Sequence, residues 1–227
     1  MSPHAVALAA LSLVSTAAFA RTEERDVPDF NAVHVAAGIR VSVEIGARRP
    51  VRVEADDEIL RLVETRVEDG ALHIGFKPHS SWQGDHRVTV TIQTPQLRAI
   101  GASGGSVVRA TFTRADECEI EASGGSEIRA RGVDAGRLSL QGSGGSTFDL
   151  QGRTDALRLD LSGGSWIHGR DLAVKDADVH ASGGSQGELR VNGNLRGNLS
   201  GGSELHVRGG ARAKVATSGG SSVEVED

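Results

Sequence analysis

Leu138-Ser139-Leu140-Gln141-Gly142-Ser143-Gly144-Gly145-Ser146-Thr147-Phe148-Asp149-Leu150 holds the pattern that decides the fold. Leucines alternate with polar residues, the period-two mark of a strand with one buried face. A Ser-Gly-Gly-Ser tetrad interrupts the alternation, which resumes beyond it at Phe148 and Leu150. The same tetrad starts at Ser103, Ser123, Ser143, Ser162, Ser182, Ser200 and Ser218, at spacings of 20, 20, 19, 20, 18 and 18 residues. A unit recurring at such an interval marks a stacked architecture: one unit cannot close a core, and its neighbours close it.

The flanks align in columns. Three residues before the tetrads stand Ile100, Ile120, Leu140, Leu159, Val179, Gly197 and Val215, and five before stand Arg98, Cys118, Leu138, Leu157, Ala177, Leu195 and Ala213. Beyond the first serine by five residues come Val108, Ile128, Phe148, Ile167, Gly187, Leu205 and Val223. These columns face inward, Arg98 and the small residues apart, while residues such as Glu119, Glu121, Asp160, Asp178, His180 and Asn198 face outward. Each repeat therefore reads as two short strands joined at a Ser-Gly-Gly-Ser corner. A variable turn, as at Gly132 to Gly136 or Gly152 to Asp155, leads to the next repeat. Stacked in register, the repeats give an all-β parallel β-helix, a β-solenoid with 18–20 residues per coil. The corner reverses the chain in few residues and needs glycine at φ > 0. Its serine hydroxyls are expected to bond the corner of the adjacent coil.

Three segments follow from this reading. Residues 1–20 carry an uncharged apolar run, Ala5 to Ala18, and an Ala18-Phe19-Ala20 cleavage pattern, the marks of a secretory signal peptide. Residues 21–96 alternate without the tetrad, in strands Ala32 to Val35, Ile39 to Ile45, Val51 to Glu54, Val63 to Val67, Ala71 to Phe76 and Val88 to Gln93. They read as opening coils of the same solenoid, with a separate small β-domain as the alternative. Residues 97–227 form the regular seven-repeat solenoid. After cleavage no segment is apolar and long enough to span a membrane. The stretch after the last tetrad is also too short for a membrane barrel.

Composition excludes several function classes. The net charge of -5 is spread along the chain, and no basic patch offers a nucleic-acid footprint. The single cysteine, Cys118, permits no internal disulfide and falls on an inward column. Gly101-Ala102-Ser103-Gly104-Gly105 matches a nucleophile elbow, but that motif needs a following helix, and none is predicted. His168, His180 and His206 fall in different coils and columns, which argues against a zinc site. No Asp recurs at a fixed offset from the glycines, as a calcium-binding roll requires. The sequence therefore implies no catalytic residues, no metal and no cofactor.

The candidate ligand contacts are Trp166, Trp82, Asp160 and His180. Trp166 stands on an outward column with Val107, Glu127, Thr147, Gln186, Glu204 and Ser222, where an indole can stack on a sugar ring or seal a partner surface. Trp82 lies in the polar loop His79 to Asp85. Asp160 and His180 occupy like offsets in adjacent coils, so they are neighbours on one face. Glu224, Glu226 and Asp227 charge the last coil, a device against edge-to-edge association. End-to-end stacking into a homo-oligomer stays open.

Phe30-Asn31-Ala32-Val33-His34-Val35, Gly38-Ile39-Arg40-Val41, Val51-Arg52-Val53-Glu54-Ala55, Asp69-Gly70-Ala71-Leu72-His73-Ile74, Val88-Thr89-Val90 and Pro95-Gln96-Leu97, followed by the Gly-Ser-rich repeats, resemble the head-GIN-domain family of auto-transporter adhesins. The resemblance implies an exported, non-catalytic β-helical protein of the cell envelope, in the periplasm or on the surface of a Gram-negative-type bacterium. It implies an adhesin-like binding role, with polysaccharide or envelope proteins as partners. The competing expectation is a carbohydrate-active enzyme, a polysaccharide hydrolase or lyase working on one solenoid face.

Overall fold

The computed structural model describes residues 21–81 and 87–226, so residues 1–20, where the sequence leads one to expect a signal peptide, and Trp82 lie outside the described residues. Among the described residues, 18 strands and one short helix occur, and all the strands join in one continuous hydrogen-bonded system.

The repeats supply its regular part. Strands β1 (Arg21–Arg25), β2 (Ala32–Val35), β3 (Arg40–Ile45), β4 (Val51–Ala55), β5 (Val63–Glu68), β6 (Ala71–Phe76) and β7 (Thr89–Thr94) precede the tetrads, with helix α1 (Asp57–Leu60) between β4 and β5. Then come β8 (Ala99–Ala102), β9 (Val107–Thr111), β10 (Ala115–Ala122), β11 (Glu127–Gly142), β12 (Thr147–Leu161), β13 (Trp166–Ala181), β14 (Gln186–Val191), β15 (Asn194–Leu199), β16 (Glu204–Arg208), β17 (Arg212–Thr217) and β18 (Ser222–Glu226). From β8 onward every pairing is parallel and like residues stack: Cys118 on Leu138, Leu157 on Ala177, Ile128 on Phe148. The interior is a continuous run of Val, Ile, Leu and Ala in which Phe148 is fully buried. Cys118 sits in it at 3 % exposure, as its column requires.

Both corner glycines have positive φ, as at Gly183 (69°) and Gly184 (77°), the signature of a type I′ turn. The first glycine has a second constraint. A Cβ on Gly183 would lie 2.9 Å from the Gly163 amide nitrogen of the adjacent corner, whereas one on Gly184 would meet nothing within 4 Å. The serines differ from expectation. The second hydroxyl of the tetrad mostly turns back within its own corner: Ser106, Ser126 and Ser165 Oγ donate to the carbonyls of Ser103, Ser123 and Ser162 at 2.7 Å. Cross-coil bonds from hydroxyls are the exceptions, Ser146 to Ser165 at 3.2 Å being one. Backbone bonds join the corners instead, such as Ser123 N to Ala102 O at 2.9 Å. The turn places the hydroxyl three residues from a carbonyl, closer than any group of the next coil.

The expected variable turns are also strand. Val133 to Ala135 pairs with Gly152 to Thr154 inside β11 and β12, and Gly152 to Thr154 pairs with Leu172 to Val174 of β13. Their inward side chains Val133, Ala135, Thr154, Leu172 and Val174 are buried. Each coil therefore has a third side. Gly132 (φ 64°) bends the chain without reversing it.

In the first half, chain order and spatial order part. β2 lies between β6 and β8, and β3 between β7 and β9, all parallel. The chain thus lays down an inner level first, loops outward, adds β6 and β7 above it, and returns below to β8. The outward loop forms a lid at that end: β5 runs antiparallel to β6, β4 antiparallel to β7, and β1 antiparallel to β4. Arg25 fastens it, donating to Leu60 O at 2.9 Å and Val63 O at 2.8 Å. At the other end Val215 and Val223 are only partly covered, and Val225 is 39 % exposed.

Candidate functional site

The residue two positions before each tetrad faces outward, beside the corner. Strand register stacks these residues into a ladder: Gly101, Glu121, Gln141, Asp160, His180 and Asn198. β2 and β6 extend it with His34, in register with Gly101, and His73 beyond. At about 4.8 Å per rung, the ladder lines the floor of a groove of about 890 Å³. The first serines of the corners, Ser103 to Ser200, form one wall, and Glu64 and Arg66 of β5 stand at the lidded end. The division of labour in the tetrad follows: the second serine is turned into the corner, and the first borders the groove.

Its electrostatics are uneven. His34 and His73 stack with ring centroids 5.1 Å apart and planes 14° from parallel. His34 covers Gly101, where a Cβ would lie 2.3 Å from its Nδ1. Burial, reinforced by the neighbouring His73, holds the His34 pKa below the usual imidazole value, with Glu119 pulling the other way. Partial burial lifts Glu121 above the ordinary carboxyl range, and the charge of Glu119 and a hydrogen bond with it add to the effect. Arg158 Nε donates to Asp160 Oδ2 at 2.9 Å, and His180 Nε2 lies 3.3 Å from Asp178 Oδ1. Among the groove's lining residues Glu64, Glu121 and Asp160 carry carboxyls and Arg66 the one guanidinium.

Asp160 and His180 are thus direct neighbours in the groove. Trp166 is not part of it. It lies across the corner on the adjoining face, half-buried against His168 at 4.7 Å between ring centroids. His168 and His206 share one outward column, separated by Glu188, contrary to the reading that they occupy different columns. His206 lies between Glu204 (3.0 Å) and Glu224 (2.9 Å). Among the described residues no group of three or more His, Cys, Asp or Glu is placed to hold a metal. Ser103 of the elbow-like motif leads through a corner into strand β9, without a helix behind it. The sequence singled out neither Glu121, Gln141, Asn198 and the first corner serines as ligand contacts nor the groove residues His34, His73, Glu64 and Arg66. His34 and His73 do sit at outward positions of Val33-His34-Val35 and Leu72-His73-Ile74. Only the out-of-order stacking of β2 and β6 brings them to the ladder.

Residues 29–211 match the family model described as "Putative auto-transporter adhesin, head GIN domain". No curated protein sequence matches the chain significantly. Several solved structures share the fold. A putative adhesin of Bacteroides fragilis superposes with a TM-score of 0.85 at 16 % identity, covering 91 % of this chain and 97 % of its own. One from Parabacteroides merdae gives 0.70 at 17 % identity, over 93 % and 98 %. A putative lipid binding protein of Parabacteroides distasonis gives 0.69 at 16 % identity, over 93 % and 98 %. At these identities the likeness is one of fold. The chain belongs to the head-GIN-domain family of putative auto-transporter adhesins.

Proposed function

We propose that this protein is a non-catalytic, exported binding module of the cell envelope, whose ligand is a polysaccharide lying along the groove beside the serine corners. One observation carries the reading: the polar ladder from His73 to Asn198 runs the length of a single open groove, parallel to the solenoid axis. Such a surface offers hydrogen-bonding groups at a fixed interval, which suits a repeating, hydroxyl-bearing chain better than a compact small molecule. Carboxyls outnumber guanidinium groups in its lining, which disfavours polyanions. Of the candidate contacts, Asp160 and His180 belong to this site, and Trp166 would serve only a ligand that wraps the corner.

The enzymatic reading has one observation in its favour. Glu121, with its raised pKa, and Asp160 are two rungs apart, on the order of 9.6 Å, near the upper limit for an inverting pair of carboxyls at about 9.5 Å. Against it, Arg158 occupies an oxygen of Asp160, which a general base needs free.

The test is a screen of residues 21–227 against neutral, amino-sugar and acidic polysaccharides for both binding and product. Saturable binding to neutral or amino-sugar polymers without product supports the module. Product that disappears in Glu121→Gln and Asp160→Asn establishes the enzyme instead.

A further inference from the structure

The two ends of the solenoid are unlike. One is closed by the antiparallel strands β4 and β5, with the charged β1 outside β4. At the other, β17 pairs with β15, and β18 with β16, and neither has a partner on its outer edge among the described residues. We propose that this end is a dimer interface: β18 of one molecule pairs antiparallel with β17 of a second copy, about a two-fold axis through the last Ser-Gly-Gly-Ser corner.

The hydrogen-bond pattern sets the register. Arg212 and Ser218 donate to Gly193 and Leu199, and Ser222 donates to Ser203. Even-numbered residues of both strands therefore point their amides and carbonyls inward along the stack. In a parallel ladder these groups alternate from side to side, so Ala213, Val215 and Thr217 of β17, and Val223 and Val225 of β18, present theirs at the free edge. Antiparallel pairing must set such residues opposite one another. Val215 against the partner copy's Val225, and Thr217 against its Val223, satisfies four of these five residues. Both pairs are centred on Gly220, inside the corner, so the axis that relates the strands is the axis that superposes the corners. The same register keeps core-facing side chains with core-facing ones and would cover Val215, Val223 and the exposed Val225.

Charge agrees with this pairing. The outward residues of β17 are Arg212 and Lys214, neither of which has an ion pair within the molecule among the described residues, and those of β18 are Glu224 and Glu226. The register sets Lys214 directly opposite Glu226 of the second copy and diagonal to Glu224, and it does so twice in a symmetric dimer. A pairing of like strands, β17 on β17, would instead oppose base to base. Glu224 and Glu226 thus select a partner edge and exclude others, which refines their reading as simple blockers. At the opposite end the outer edges belong to β1 and β5, strands rich in Arg and Glu whose charges oppose the addition of a further strand, so head-to-tail growth is disfavoured and association closes at two copies.

Sedimentation of residues 21–227 tests this, with circular dichroism as the check on folding. The wild type should dimerise. Lys214→Glu and Glu226→Lys should each raise the dimer dissociation constant roughly fivefold, as two exposed ion pairs are lost, and the combined variant should return toward wild type. Monomer at every accessible concentration, insensitive single variants, or a double variant no better than the singles would overturn the assignment. Cross-linking keeps the test decisive if the charge variants fold poorly. Hydrogen-bonded antiparallel partners lie about 5.5 Å apart at Cα, within disulfide reach. Val215→Cys/Val225→Cys should therefore oxidise to a covalent dimer, and Val215→Cys alone should not. Equal cross-linking of both, or of neither, contradicts the register.

Discussion

Gly183→Ala and Gly184→Ala make a matched pair of perturbations one residue apart in the same corner. Both glycines have positive φ, 69° and 77°, so either alanine meets the left-handed penalty of about 1–2 kcal/mol. Both substitutions also stiffen the unfolded chain to the same degree, and that contribution cancels in the comparison. The difference lies in stacking. The new Cβ at position 184 enters open space, whereas the one at 183 comes within 2.9 Å of Gly163 N and 3.4 Å of its Cα. Those are backbone atoms of the neighbouring coil and cannot rotate aside. The coils must separate locally, an overpacking cost of about 1–3 kcal/mol. Gly183→Ala should therefore destabilise by about 2–5 kcal/mol and Gly184→Ala by about 1–2 kcal/mol. Urea denaturation gives both values, and an unchanged slope certifies that the unfolding unit is the same. Equal losses, or the larger loss at Gly184, would refute the claim that the first glycine is required by coil stacking.

Three further outcomes are expected. Gly142 stands where other coils carry alanine, leucine or, in the last coil, threonine, because a Cβ there would lie 2.6 Å from the Phe148 ring and 2.8 Å from Leu161 Cδ2. Gly142→Ala should cost about 1–3 kcal/mol in wild type and clearly less in a Phe148→Leu background, a coupling that a double-mutant cycle measures. Glu121, whose pKa is raised, opposes folding while ionised. That penalty is present above its folded-state pKa and fades as pH falls through it, so Glu121→Gln should raise the melting temperature at about pH 8 and change it little at about pH 4. The Cys118 thiol, buried in the core and with its pKa pushed up by that burial, should react with a thiol reagent only at the rate of unfolding.

Fold and site differed in how far the residues revealed them. Tetrad spacing and the columns around Leu140 and Phe148 were enough for the solenoid, because identical corners can stack only in register. The third side of each coil was obscured by its own sequence: Gly132, Gly136 and Gly152 read as turn, while the alternation at Val133-Asp134-Ala135 is only three residues long. Ala36-Ala37-Gly38-Ile39 adds a further corner of the same geometry, with Ala37 at φ 63° and Gly38 at 76°, next to the first tetrad. Without serines it looked like a break between strands. β1 was hidden too, since Arg21-Thr22-Glu23-Glu24-Arg25 is an edge strand with four of its five residues exposed and no alternation to detect. Of the site, Asp160 and His180 could be placed side by side, because like offsets in adjacent repeats must stack. His34, His73 and the wall at Glu64 and Arg66 depend on β2 lying between β6 and β8. That order arises from long-range pairing, which no local pattern encodes.

The central claim is that the ligand lies in the groove beside the serine corners. Its most direct test is the binding isotherm of the best polysaccharide from the screen, measured for the wild type, Asp160→Ala/His180→Ala and Trp166→Ala. Loss of at least about tenfold in affinity is predicted for the double variant, with Trp166→Ala near wild type. Undiminished binding by the double variant, or loss confined to Trp166→Ala, would contradict it and move the site to the adjoining face.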